Sequence, residues 1–151
     1  MKIVIYSLLA LCLSTTHVYA QSSTITIAAT DFKVGNAVGS RDYGKNTIHN
    51  IATYCNAPNS AVYFFQSARA GLYRLSVDFS SMQSRPIHVS VNNVEAAQET
   101  ADTVTGGWFE GQHQLVVVDD FSLNKGVNTL FFWRNSCIPH LHFFQFEYIR
   151  P

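Results

Sequence analysis

Between Gly71 and Asn93 the chain alternates. Tyr73, Leu75, Val77 and Phe79 are separated by Arg74, Ser76 and Asp78. After a short polar link, Ile87, Val89 and Val91 alternate with His88, Ser90 and Asn92. Successive side chains of a strand point to opposite faces, so a period of two with one apolar set predicts half-buried antiparallel strands. The two runs are expected to form a central hairpin joined by the polar turn. Later strands are then laid onto this pair, and functional residues sit in loops at the strand ends.

Two regions bound the fold further. Lys2 is followed by an apolar run from Ile3 to Leu13 and by Val18-Tyr19-Ala20, a small-residue cleavage pattern. Residues 1–20 therefore read as a secretory signal peptide, with an apolar run too short to span a bilayer. Leu11 before Cys12 is a poor match to a lipoprotein signal. The remaining 21–151 is one domain in length, expected to be exported and soluble, without membrane insertion. Of ten Lys and Arg, Lys2 leaves with the leader, so nine face ten Asp and Glu. That balance gives no electrostatic case for nucleic acid or an anionic membrane. Cys55 and Cys137 remain once Cys12 is removed, and in an exported protein the default is that they pair. The long loop they close favours a stabilisation of roughly 4–5 kcal/mol. Free buried thiols or metal ligation are the competing readings.

Along the chain, Ser23–Ala28 reads as an opening strand, with Asp31–Val34 pairing nearby. Gly35–Asn50 has three glycines and no convincing period. It reads as a long irregular loop, as suited to a functional role as to a plain surface excursion. Thr53–Ser60 is a loop and Ala61–Gln66 a strand. Val94–Thr105 is a polar connection, and Thr105–Gly111 a glycine-flanked aromatic loop. Gln114–Phe121, Thr129–Trp133 and Leu141–Ile149 are strands, with turns at Leu123–Asn128 and Asn135–Pro139. Helix signals are scarce. Many short strands with turn signals between them predict an all-β sandwich.

The order of several motifs resembles carbohydrate-binding module families 6 and 35. They are Ala70-Gly-Leu-Tyr-Arg-Leu75, Arg85-Pro-Ile-His-Val-Ser-Val-Asn-Asn93, Thr105-Gly-Gly-Trp108 and Leu123-Asn-Lys-Gly-Val-Asn-Thr-Leu130. The resemblance implies a galactose-binding-like β-sandwich (jelly roll) and a glycan ligand, clamped by an aromatic pair at one edge. It maps the pair onto Trp108 and Tyr54, and a hydroxyl-binding asparagine onto His140. Asn135 and Glu110, in the neighbouring loops, complete the candidate ligand-binding set. The chemistry suits a sugar, whose C–H faces match an aromatic ring and whose hydroxyl rim matches polar edge groups. Trp108 can also be read as a core residue, but its loop-like neighbours favour binding. The departures concern calcium. The acidic pattern that supplies calcium ligands in these families stands here as Ala28-Ala29-Thr30, and their buried aspartate in the last strand as His142. Asp31 and Glu147 remain, but the ligand set argues against a calcium cofactor.

Other chemistries are weaker. His140 and His142 are two apart and would share a strand face; with His88, His113 or His49 they would make a zinc site. Without a clear third ligand, no metal is expected. Asp119 and Asp120 are adjacent on a strand and point to opposite faces, so they are not the carboxylate pair of a glycosidase. No nucleophile elbow, zinc-protease motif or phosphate loop occurs. A non-catalytic protein is expected, acting on a polysaccharide or a host or surface glycoprotein. A secreted adhesin or protein-interaction module with the same fold is the alternative. With no catalytic domain beside it, the domain is expected to adhere to a glycan surface rather than direct an enzyme. Function is expected off the central hairpin, on an edge held rigid by a Cys55–Cys137 bridge.

Overall fold

The computed structural model describes residues 24–49 and 55–151. Eleven strands follow in chain order: β1 (Thr24–Ala28), β2 (Val34–Gly35), β3 (Val38–Ser40), β4 (Thr47–His49), β5 (Asn59–Ser67), β6 (Gly71–Ser80), β7 (His88–Val91), β8 (Val94–Glu95), β9 (Gln114–Leu123), β10 (Gly126–Arg134) and β11 (His140–Arg150). Single 3-10 turns occupy Ala29–Asp31 and Glu110–Gln112. One sheet runs β3-β4-β11-β6-β9, with β1 also paired to β11; the other runs β2-β5-β10-β7-β8. All strand pairs are antiparallel. The result is the predicted β-sandwich.

Alternation builds the core. Tyr73, Leu75, Val77 and Phe79 of β6 and Phe144 and Phe146 of β11 face Tyr63 and Phe65 of β5 and Leu130 and Phe132 of β10. Aromatic rings meet between the sheets: Phe65 stacks on Phe146 at 4.8 Å between centroids, and Tyr63 meets Phe144 edge-on at 5.3 Å. The Tyr63 hydroxyl donates to the Ala29 carbonyl at 2.8 Å, so its polar end is satisfied inside the core.

The expected central hairpin does not exist. Strand β6 pairs with β11 and β9, whereas β7 pairs with β10 and β8 in the opposite sheet. Both runs bury their apolar sets in one core, but from opposite sides. Alternation reports which face is buried and not which strand lies alongside, so it fits facing strands as well as paired ones. The link from Ser81 to Ile87 is also longer than the usual two- to five-residue hairpin loop. True hairpin geometry comes one strand later. Asn92 and Asn93, with φ of 51° and 66°, form the two-residue turn between β7 and β8.

The region from Gly35 to Asn50 differs from its expected irregularity. Thr47 and Ile48 are fully buried. Ile48 pairs with Leu141, so the short β3–β4 pair joins the edge of β11. Nearer the start, Asp31 lies in a 3-10 turn, and of the expected 31–34 strand Val34 alone is in β2. Cys55 and Cys137 form a disulfide, with Cα atoms 4.4 Å apart. It ties the segment entering β5 to the β10–β11 connection. Among the described residues no helix is long and apolar enough to cross a membrane.

Candidate functional site

The Trp108 loop is shaped by the residues before it. Thr105 anchors it to the end of β6: its N–H donates to the Ser81 carbonyl at 2.8 Å, and its hydroxyl oxygen accepts from the Ser81 N–H at 2.8 Å. Gly106 turns with φ +90°, a region that disfavours a side chain. At Gly107 the Gln112 amide occupies the space a Cβ would need. Gln112 Oε1 accepts from the Phe109 N–H at 3.1 Å and closes the turn. Trp108 emerges half-buried at the rim and Phe109 is 55% exposed.

Tyr43, Arg85, Trp108 and His140 line a shallow depression of about 200 Å³. The Arg85 guanidinium lies over the Trp108 ring, 4.2 Å from its centroid, and donates to the Ile138 carbonyl at 3.1 Å and to Gln83 Oε1 at 3.3 Å. Burial and the nearby Arg134 lower the Arg85 pKa, yet a guanidinium stays charged. His140 meets Tyr43 at 4.2 Å and Trp108 at 4.8 Å between centroids. Its Nδ1 lies 2.9 Å from the Trp108 carbonyl. A carbonyl can only accept, so Nδ1 carries the proton. Burial pushes the imidazole down to about 4, against the pull of that carbonyl, with His49 and Arg85 pushing it lower. His140 is therefore neutral near pH 7, and its Nε2 is an acceptor. The edge combines aromatic faces, a fixed cation and a neutral acceptor, a set suited to the apolar face and hydroxyl rim of a ring-shaped polar ligand.

No family profile matches this sequence, and no curated protein matches it. Solved structures do match. A family 35 carbohydrate-binding module from Paenibacillus barcinonensis has 18% identity and a TM-score of 0.67, over 85% of this chain and 100% of that one. A family 35 module solved in complex with a glucuronic-acid-containing disaccharide has 13% identity and a TM-score of 0.61, over 83% and 92%. A Podospora anserina β-(1,4)-mannanase that joins a family 26 glycoside hydrolase to a family 35 module has 15% identity and a TM-score of 0.66; the match covers 87% of this chain and 29% of that enzyme. The chain has the fold of a family 35 carbohydrate-binding module.

On this module fold the expected ligand-binding residues are partly brought together. Trp108 and His140 share the depression. Glu110 is exposed beside Gly44, next to Tyr43 in the chain, and so lies at the rim. Tyr54 lies outside the described residues. Asn135 goes elsewhere: it follows β10 onto a groove lined by Pro86, His88, Glu99, Trp133 and Arg134. Phe132 points into the core, so its neighbour Trp133 points out, stacks on His88 at 4.0 Å, and carries the following loop to that side. Two edge residues escaped the sequence reading. Arg85 stands in a motif whose strand pattern points to scaffold, and Tyr43 stands in a segment with no period. The glycines flanking Tyr43 at positions 39 and 44 were the available signal. A wider hollow, about 730 Å³, is lined by Thr30, Gly39, Ser40, Arg41, Lys45 and Asn46. It offers no aromatic face among the described residues, unlike the smaller Trp108 depression.

The calcium position of the module families does not fit a hard cation here. Ala28 and Ala29 have no ligand atoms in their side chains, and Thr30 is exposed. His142 replaces the last-strand carboxylate and is buried, with Nδ1 2.8 Å from Thr47 Oγ1 and Nε2 3.3 Å from Ser80 Oγ. Calcium needs several oxygen ligands, and of the side chains at this position Thr30 and the exposed Asp31 offer oxygen. The histidines weighed as a zinc grouping and set aside do not gather around the His140–His142 pair as one set. His49 packs near His140, His88 pairs with Glu99 at 2.8 Å, and His113 stacks on His142.

Proposed function

We propose that this protein is an exported, non-catalytic glycan-binding module that takes a sugar at the Trp108 edge. The observation that carries the reading is the meeting of half-exposed Trp108 with Tyr43, Arg85 and neutral His140 at one open edge of this fold. Tyr54, one residue before Cys55, joins the proposal as the second aromatic of the clamp. The cationic Arg85 supports testing acidic sugars beside neutral ones, and one structural neighbour was solved with a glucuronic-acid-containing disaccharide. Export is supported by the N-terminal leader pattern and by the disulfide. A non-catalytic role is supported by Asp119 and Asp120: Asp120 pairs with Arg74, while Asp119 accepts from the Ala97 N–H. They do not face one cleft as a glycosidase pair must.

The test is retention on polysaccharide affinity gels and on an array carrying both polysaccharide and glycoprotein glycans. The wild-type protein should be retained by at least one glycan. Trp108→Ala should lose at least tenfold in affinity, about 1.4 kcal/mol, with unchanged circular dichroism. Absence of binding by the wild type, or full retention by Trp108→Ala, would sink the reading.

A further inference from the structure

We propose that Asp78, His113 and His142 form a binding site for a divalent transition metal of the zinc class. One ligand atom from each of the three lies within 4.8 Å of the others. They come from three adjacent strands: Asp78 from β6, His113 from the residue before β9, and His142 from β11. The site shares no residue with the Trp108 depression and does not rest on the glycan reading.

Three features favour a metal over a merely structural cluster. The first is a β-bulge. The β6–β11 register shifts between Leu141 and Phe143, and His142 is the extra residue. A bulge re-aims a side chain, and here it turns His142 onto Asp78 and His113. The second is the state of the polar atoms. Asp78 is 7% exposed, and its Oδ1 and His113 Nε2 are buried without a hydrogen bond. His113 Nδ1 is 3.0 Å from Asp78 Oδ1, a close ionic contact whose alignment falls short of hydrogen-bond geometry. His113 Nε2 has no partner and Asp78 Oδ1 has this contact alone; such poorly partnered buried groups are costly, and a cation between them removes that cost. The third is support around the ligands. Thr47 Oγ1 lies 2.8 Å from His142 Nδ1 and holds the ring, as outer partners of metal-binding histidines do, while Nε2 exchanges its 3.3 Å contact with Ser80 Oγ for the metal.

Two imidazoles and one carboxylate are a borderline ligand set, suited to Zn²⁺ rather than to Ca²⁺ or Mg²⁺. Three protein ligands leave the fourth tetrahedral position to a water. The His113 side chain is 20% exposed, so the site has an entry path. Tetrahedral bonds of about 2.0–2.1 Å place ligand atoms roughly 3.4 Å apart. The His113 and Asp78 atoms, 3.0 Å apart, already lie within that spacing, and the stacked His113 and His142 rings turn on binding so that both point at one ion.

The experiment uses the full protein, stripped with chelator and titrated with Zn²⁺ by calorimetry, with melting followed in parallel. The wild type should bind one Zn²⁺ and melt higher as Zn²⁺ is added, because the metal binds only the folded form. Ca²⁺ should give neither signal. His113→Ala should lose at least tenfold in Zn²⁺ affinity and most of the melting shift, and Asp78→Asn should act in the same direction. Should His113→Ala lose its folded dichroism, His113→Gln carries the same test with a polar side chain retained. Co²⁺ added to the wild type should give the strong visible absorption of a tetrahedral site, absent from the variants. No one-to-one Zn²⁺ uptake by the wild type, or uptake unchanged in the folded variants, overturns the proposal.

Discussion

Arg85 serves three neighbours with one guanidinium, donating to the Ile138 carbonyl and to Gln83 Oε1 while its plane covers the Trp108 ring. Lysine keeps the charge but not the planar fork or the flat stack. Arg85→Lys should cost about 1 kcal/mol of stability, from a partly exposed cation–π contact and one hydrogen bond. It should also loosen the depression enough to weaken glycan retention several-fold. Urea unfolding and affinity electrophoresis read the two effects separately; a variant unchanged in both would remove Arg85 from the edge. At this scale the sequence was only half legible. Trp108 and His140 were found because a motif marked them. Tyr43 was missed because its partner His140 is nearly a hundred residues away, and no local pattern encodes a contact of that kind.

At the scale of elements, the Thr105–Trp108 loop divides its duties by residue, and substitutions should separate them. Gly106→Ala forces a Cβ into a left-handed conformation and should cost about 1 kcal/mol or somewhat more. Gly107→Ala meets the far end of Gln112, which can swing outward. Its cost is the Gln112–Phe109 hydrogen bond, so stability should fall less while the position of Trp108 shifts. The pattern to look for is a larger melting change from Gly106→Ala and a binding loss from both; the reverse order of melting changes would refute the assignment. A second element test lies in the β7–β8 turn. Asn92 Oδ1 accepts from the Thr129 N–H at 2.9 Å, and its amide donates to Asn128 Oδ1 at 2.8 Å. Asn92→Ala strands the Thr129 N–H, while Asn128 Oδ1 keeps the Asn124 N–H, and it loses a side chain suited to positive φ, so about 1–3 kcal/mol should be lost in urea titration. Most strands were legible because alternation reports burial directly. Their partners were not. Leu75 and Val89 both point into the core, and nothing in a period of two says that one sheet ends and the other begins between them. The bulge at His142 was equally hidden, since one extra residue in a strand leaves the apolar count nearly unchanged.

For the molecule as a whole, the question is what the disulfide holds. Cys137 is followed by Ile138, whose carbonyl receives Arg85, and then by Pro139 and His140 of the depression. On the other side of the bridge, the Cys55 carbonyl accepts from the Ser136 hydroxyl at 3.1 Å, and Asn59 donates to the Ser136 carbonyl at 2.9 Å. The bridge therefore fixes the β10–β11 connection, which carries two groups of the candidate edge from one sheet to the other. Cys137 and Ile138 are themselves buried, but most of the sandwich core lies in the strands. Its buried aromatic residues Tyr63, Phe132, Phe144 and Phe146 belong to strands whose pairing does not pass through either cysteine. Reduction should consequently act in two stages. Glycan affinity should fall first, under conditions where the far-ultraviolet dichroism of the sandwich is intact. The unfolding midpoint in urea should also drop, by a stability loss of at most roughly 4–5 kcal/mol for a loop of this length. Cys55→Ser with Cys137→Ser gives the same readout without reductant. Simultaneous loss of binding and fold would mean that the bridge supports the core itself. Unchanged binding after reduction would mean that hydrogen bonds alone hold Ile138 and His140 in place.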